Sequence, residues 1–568
     1  GKDTSGNGNN FTPNNFSVSS GKNGDSFIDT PTNNFPTLNS LVGGITLSDG
    51  NLTRSGGVKQ CMATFELLNG KYYFEYKVED SNGNHSIGVC QIDTDQRDRI
   101  NTECAHYFAN GEYKIENNGQ TSGFASYTTG DIIGVAVDTT LSTPKIWFAK
   151  NNTWQGTGNP TTTGYSLTSG KKYAFSTAHG SSSGSTTGTA FFGAHQGEFN
   201  YDPPSGFKAL STKNLPPNVP SIIRPQKHFE TLLYTGTDTS AARTIDDLEF
   251  APDLVWQKRR NGTNWQTWHD TVRGATKTLY SNSNIQEATN NQYGYISAFG
   301  ANGFTWSPGA SNNSDGNEGD GTFVSWCWRA GGAAVSNSDG SITTSISANQ
   351  EAGFSIVTYT GTGSAATIGH GLGKAPKVVL TKLRDTTTQD WFFMPGEITN
   401  DRGKYIKFNA QDAIASDTNV YPNTATTSTV YSIGTDNAVN GSGSKYVSYC
   451  WSDIPGYSEF GIYKGNGNAD GPYVHLGFRP AWFLVRGTHA DIWYVYDNKR
   501  NTFNVVDKEL NPNRDQAEAS FTTADFLSNG FKIRTSNSSF NYNNYTYLYM
   551  AFAEQSGITS FGTHSNSK

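Results

Sequence analysis

The chain has 568 residues, a formal net charge of −7, only 16% charged residues and 13% aromatics. That length allows roughly three to five domains of ~100–200 residues each. The sequence has no Lys/Arg run of the nucleic-acid-binding kind, no apolar stretch long enough to span a bilayer as a helix, and no apolar signal-peptide core in its opening "GKDTSGNGNNFTPNNF".

Gly, Ser, Thr and Asn are abundant, and long Leu/Ala/Glu/Lys-rich stretches at helical period are missing. This composition predicts an all-β fold of short strands, polar turns and aromatic cores. At most a short helix is expected, near 507–518. An initiator Met is absent, as in a processed chain or a fragment of a longer one.

Residues 1–45 read as an irregular, Asn/Ser/Gly-rich segment, followed by a strand-rich block over 46–210. In "GKYYFEYKV" (70–78), Tyr72, Phe74 and Tyr76 alternate with Tyr73, Glu75 and Lys77, which predicts a half-buried strand. "SIGVC" (86–90) and "GDIIGVAVD" (130–138) carry glycines inside Val/Ile runs, a sign of close strand packing or bulges. An antiparallel β-sandwich follows from these strands. Prolines at 203, 204, 216, 217, 220 and 225 then mark a linker over 211–226.

Past residue 226 the chain repeats itself. "LLYTGT", "VTYTGTG" and "GIYKGNG" open three segments. "FAPDLVWQK", "KAPKVVLTK" and "FRPAWFLVR" follow, then "NWQTWHD", "DWFFMPG" and "IWYVYDN". The aromatic strands "FVSWCW", "YVSYCW" and "YLYMAF" close them. Tyr234, Tyr359 and Tyr463 are spaced by 125 and 104 residues; Pro252, Pro376 and Pro480 by 124 and 104; Trp265, Trp391 and Trp493 by 126 and 102. The register predicts three related β-domains at 227–330, 354–456 and 457–568, the first two separated by a Ser/Gly linker at 331–353. It also predicts that Trp265, Trp391 and Trp493 are core residues.

The five cysteines, Cys61, Cys90, Cys104, Cys327 and Cys450, are odd in number and lack metal-type spacing. Buried free thiols in a chain folded in a reducing cytoplasm are expected. Cys327 and Cys450 align with Ala551, which suits a small buried side chain better than a reactive one.

At 70–78, 130–138, 145–148 and Gly206-Phe207-Lys208 the block resembles a SPRY domain, a concanavalin-like sandwich that serves as a binding module. "AFFGAHQGEFNY" departs from the Asn-Phe-Gly-Gln common in related phage domains. More widely, "DTSGNGNNFTPNNFSV", "NLPPNVP", "DLVWQKRRNGTN", "FSIVTYTGTGSAATIGHGLGKAPK", "GFRPAWFLV" and "YLYMAFAE" resemble tail-fibre-type structural proteins of bacteriophages. The resemblance implies a virion appendage, synthesised in the host cytoplasm, that contacts other virion proteins and a host-surface glycan or protein. It implies a homotrimer and a further N-terminal region before "DTSGNGNN". It implies neither nucleic-acid binding nor membrane insertion, and carries over no functional residues.

The residues give little chemistry. No carboxylate pair has glycanase spacing, and Asp246-Asp247-Leu248-Glu249 reads as a solvated turn. His269 and Asp270 are strand neighbours and point to opposite faces, a poor acid–base arrangement. His370 is expected to hydrogen-bond backbone. Asp315, Asn317 and Asp320 in "SDGNEGDG" loosely resemble a calcium loop without its bidentate Glu, and "GNADG" (467–471) is weaker still. Ordinary turn chemistry is expected there, with calcium the lesser alternative and no cofactor. The candidate ligand-binding residues are the aromatics Trp154, Tyr542 and Tyr545. The expected function is non-enzymatic host recognition by a tail fibre. The alternatives are a capsid-decorating or other structural virion protein and, third, an appendage polysaccharide depolymerase.

Overall fold

The computed structural model describes residues 34–554 except 40–44, 58, 81–84, 93–102, 157, 180–183, 194–197, 216–221, 239, 387–388 and 400. The expected irregular N-terminal segment, part of the proline linker and the C-terminal tail therefore lie largely outside the described residues. The chain is nearly all β, with multiple antiparallel sheets. It divides into two compact units, Gly1–Val219 with Phe561–Lys568, and Pro220–Ser560.

The first unit is a sandwich. One sheet runs Ile45–Ser48, Thr53–Gly56, Gly188–Phe191, Lys71–Val78, Ile132–Asp138, Lys145–Lys150, Thr153–Trp154; the other runs Cys61–Met62, Tyr173–His179, His85–Gln91, Cys104–Phe108, Glu112–Ile115, Thr121–Ser122. Tyr72, Phe74 and Tyr76 face the core between them, as their alternation predicts. The expectation that Lys71–Val78 is half-buried needs correction. The middle of its outer face, Tyr73 and Glu75, is buried too, because Phe199 and Phe207 pack near Tyr73, while Lys71 stays exposed. Glu75 accepts from the Tyr73 hydroxyl, the Asn200 backbone and side-chain amides and the Tyr201 amide. These donors compensate the buried carboxylate for lost water.

The cysteine expectation is corrected in part. Cys90 and Cys104 stand opposite each other on adjacent antiparallel strands and form a disulfide. Strand pairing brings together two residues 14 apart whose spacing carries no motif. Cys61, Cys327 and Cys450 are buried free thiols.

The second unit has three lobes with one strand order. In the first, Phe229–Thr235, Thr322–Trp328, Leu254–Arg259 and Thr267–Asp270 are successive neighbours. In the second these are Phe354–Thr360, Lys445–Trp451, Val378–Leu383 and Trp391–Met394. In the third they are Ser458–Lys464, Thr546–Ala553, Pro480–Gly487 and Tyr494–Asp497. The opening tyrosines 234, 359 and 463 stack on Phe323, Tyr446 and Tyr547 at 5.2, 5.1 and 5.0 Å. A smaller sheet covers the outer face of each main sheet and encloses its own core.

The inner faces of the three main sheets share one core containing Trp256, Trp326, Trp391, Trp451, Trp482, Trp493 and Phe552. The seams close cyclically. Lys258, Lys382 and Arg486, each six residues past its proline, are buried. Lys258 in lobe one donates to Asp515 O in lobe three, and Lys382 in lobe two to Asn284 O in lobe one. Arg486 in lobe three donates to Lys407 O in lobe two at 3.1 Å. Backbone bonds repeat the circuit: Glu287 N to Arg384 O, Glu518 N to Arg260 O, and Ile414 N to Thr488 O. A single copy would expose the Trp-rich face and leave these carbonyls without donors.

The stretch 331–353 is not a bare linker. Val335–Asn337 and Thr344–Asn349 extend the second main sheet, because Ile342 and Ile346 bury beside it despite the Ser/Gly-rich context. The α-helices among the described residues are single turns: Gly396–Thr399, Asn437–Asn440 and Ser538–Asn541. Where a helix was expected, Val506–Glu509 is a strand.

Candidate functional site

The catalytic-looking residues are structural. Asp270 accepts from the Arg273 amide and Nε and from the Tyr449 hydroxyl. His269 turns away to the Lys277 carbonyl, and burial pushes its imidazole down to about 3, so the ring stays neutral. His370 Nε2 meets Thr427 O at 3.2 Å and its Nδ1 accepts the Leu372 amide. Asn317 Oδ1 accepts the Thr237 amide and Arg243, so a cation already occupies that edge of the "SDGNEGDG" loop. Asp470 pairs with Lys532 at 2.8 Å. Glu249 pairs with Arg224, while Asp246 and Asp247 are exposed.

The candidate aromatics fare differently. Trp154 is half-buried against the cluster of Tyr73, Ala136, Trp147 and Phe207, so its ring is largely spent on packing. Tyr542 and Tyr545 are 52% and 43% exposed and meet edge to face, with ring centroids 4.8 Å apart. His489 continues the series, 5.0 Å from Tyr545 at 87°.

The backbone beneath these rings is fixed. Tyr542 N donates to the Tyr547 hydroxyl, Tyr545 N to Tyr542 O, and Gly465 N to Tyr545 O. Asn544 adopts φ +64° in this turn, a conformation Asn tolerates better than most residues. The Tyr542 and Tyr545 rings remain exposed, whereas His489 is half-buried and its Nε2 lies 3.5 Å from the Asp491 carboxylate.

Comparison of the lobes shows that the fold does not require them. Gly236, Gly361 and Gly465 donate to Gly321 O, Ser444 O and Tyr545 O, which makes those three acceptors equivalent. The position of Tyr542 is then held by Gly441 and Glu318 in the other lobes. His489, nine residues past its proline, corresponds to Asn261 and Asp385. Those two accept the Thr322 and Lys445 amides, a local backbone role. The third lobe thus places aromatic rings at three neighbouring positions where its sisters build the same turn from small or polar residues. The two exposed rings, Tyr542 and Tyr545, suit stacking on an apolar ligand face.

Trp265 corrects the expectation that it is core. It is 40% exposed, whereas Trp391 and Trp493 are buried. The sheet register explains this. Trp256 faces Trp268, Leu380 faces Phe393, and Leu484 faces Val495. The residue equivalent to Trp391 and Trp493 is therefore Gln266. A one-residue offset puts Trp265 on the opposite face.

Residues 224–556, which span nearly all of the three-lobed unit, match the family described as "Domain of unknown function (DUF7483)". The chain belongs to this family. The DUF7483 region is thus the closed set of three lobes with its shared core. No curated protein matches the chain. Among solved structures it is similar to the SPRY domain of human HERC1 (16% identity, 26% of this chain, 91% of that one, TM-score 0.21). It is also similar to a human SPRY domain (16%, 28%, 97%, 0.21) and to the TRIM65 PSpry domain (11%, 28%, 92%, 0.22). These likenesses to SPRY domains are weak.

Proposed function

We propose that this DUF7483 chain is a non-enzymatic bacteriophage appendage protein of the tail-fibre type, and that it recognises a host-surface glycan through the Tyr542–Tyr545–His489 surface of its third lobe. The observation that carries the recognition role is the copy-specific exposure of the Tyr542 and Tyr545 rings, with half-buried His489 beside Tyr545. The assignment to a virion rests on the sequence resemblance of the stretches quoted above. Each contact is weak and gains residence time by avidity in an assembled, homotrimeric fibre. Because the three lobes close on themselves within one chain, other surfaces would build that trimer. Attachment to the particle would use other virion structural proteins, with synthesis in the host cytoplasm.

Two experiments test this reading. Immunogold labelling of virions with antibody to the chain should decorate a tail or surface fibre. The purified chain should bind susceptible cells and block adsorption. Labelling of the capsid face without cell binding favours the structural alternative, and release of reducing sugar from capsule favours the depolymerase.

A further inference from the structure

The three seams are not chemically alike. At the seam of lobes one and two, Arg273 donates to Asp270 and, at 3.1 Å, to Glu287. Arg384 of lobe two clasps the same Glu287 carboxylate at 2.9 and 3.1 Å. At the seam of lobes three and one, Arg500 donates to Asp497 at 2.6 Å and to Glu518 at 3.2 Å. Arg260 of lobe one clasps Glu518 at 2.9 and 2.8 Å. One carboxylate in each seam thus serves two guanidinium groups, one from each side. The side chains of Arg273 and Arg500 are wholly buried and those of Glu287 and Glu518 nearly so.

The seam of lobes two and three is built differently. The backbone bonds Glu287 N to Arg384 O, Glu518 N to Arg260 O and Ile414 N to Thr488 O make the three donors equivalent, and likewise the three acceptors. Strand pairing matches Asp270 and Asp497 with Pro395, so Arg273 and Arg500, three residues on, match Ile398. Pro395, Ile398, Ile414 and Thr488 carry no charge, and Ile398 and Ile414 pack on the shared core. Arg486 crosses this seam by donating to main-chain carbonyls of Lys407 and Asp412. The Lys407 and Asp412 side chains are 32% and 62% exposed, where solvent screens their pairing. Lobe one is therefore clasped through carboxylates on both flanks, at positions where lobes two and three meet through neutral side chains.

We propose that the three-lobed ring carries an acid-sensitive device: protonation of Glu287 and Glu518 loosens lobe one on both flanks while the seam between lobes two and three stays closed. A buried guanidinium that loses its counter-charge is strongly destabilising. Burial raises the Glu287 carboxyl, but Arg384 and Arg273 outweigh it and hold the group below its ordinary 4.5. A carboxylate lowered in this way stabilises the fold above 4.5, and that contribution is lost as pH falls through the folded value. The other titratable groups at these seams leave the window clear. Burial pushes Lys258 and Lys382 down to about 7 and about 8, so both are charged below 4.5. Burial keeps His269, near Arg273, neutral until about 3, and raises the Tyr449 hydroxyl that faces Asp270. The backbone on either side of His489 is pinned to lobe two, through Thr488 O and through the Asp491 amide on Gln411 O, so the third-lobe surface keeps its support when lobe one loosens.

The test is hydrogen exchange of the full chain from about pH 7 to about pH 3, corrected for intrinsic exchange and read at the amides of residues 287, 518 and 414. Positions 287 and 518 should lose about tenfold or more in protection before position 414 changes. The Glu287→Gln/Glu518→Gln double variant should show the same loss at about pH 7, with position 414 within about threefold of wild type. Simultaneous loss at all three positions is global acid unfolding and overturns the proposal. Retention at 287 and 518 down to about pH 3, or loss at only one of them, overturns it as well. A folded double variant with unchanged protection does the same; should that variant fail to fold by near-ultraviolet circular dichroism, the wild-type pH series decides.

Discussion

The Tyr449 hydroxyl of the second lobe donates to the Asp270 carboxylate of the first across 2.7 Å. One seam on, Trp326 Nε1 of the first lobe donates to Asp497 of the third at 3.0 Å. The remaining seam has Met550 and Pro395 at these positions, so donor and acceptor are missing together. A donor facing proline, or a carboxylate facing methionine, would leave a buried group unpaired. The copies have diverged as partners across seams.

Tyr449→Phe should therefore destabilise the three-lobed unit by about 1.5–3 kcal/mol, the range for a hydrogen bond to a charged group. Denaturant unfolding followed by tryptophan fluorescence reads this directly. A midpoint indistinguishable from wild type would show that the seam does not contribute.

The lobes should not separate. A chain ending at residue 456 exposes the Trp-rich faces of lobes one and two and deprives Lys258 of the Asp515 carbonyl. It should lose cooperative unfolding and the near-ultraviolet signal of a packed aromatic core. A sharp two-state transition in that truncated chain would refute cyclic closure.

Acid should weaken the first unit through His106. Its ring lies between the Ser86 and Ser176 hydroxyls, and burial lowers its pKa from 6.5 to about 3. The unfolded chain takes up a proton below 6.5 while the folded chain resists until about 3. Stability is thus complete above 6.5 and falls as pH drops through that window, by up to about 1.4 kcal/mol per pH unit. His106→Gln should flatten this slope, measured as unfolding midpoint against pH. An unchanged slope would place the acid sensitivity elsewhere.

Thiol counting checks the disulfide. Unfolded without reductant, the chain should react at Cys61, Cys327 and Cys450; with reductant, Cys90 and Cys104 should join them. The bond should stabilise the first unit by roughly 2–4 kcal/mol, as judged from the C90A/C104A variant. Five reactive thiols without reductant would contradict the pairing.

The repeats were legible because tyrosine, proline and closing aromatics recur in constant order, and all three lobes keep one strand order. Their closure was not, because the seams run through backbone carbonyls and through Lys258, Lys382 and Arg486, charged side chains that nothing in the sequence marks as buried. "NWQTW" offers two tryptophans, and only the pairing of Trp256 with Trp268 tells which faces inward. Tyr542 and Tyr545 stood out because no apolar periodicity claims them. Trp265 did not, because a near-match in spacing placed it with Trp391 and Trp493. The burial of Tyr73 and Glu75 depends on a segment more than one hundred residues away in sequence, which local alternation cannot report.

In the proposed function, host recognition rests on the Tyr542 and Tyr545 rings. Fluorescently labelled full chain should bind susceptible host cells saturably, and the Tyr542→Ala/Tyr545→Ala double variant should bind about tenfold or more weakly with an unchanged unfolding midpoint. Equal binding by the folded double variant would contradict the assignment of host recognition to this surface.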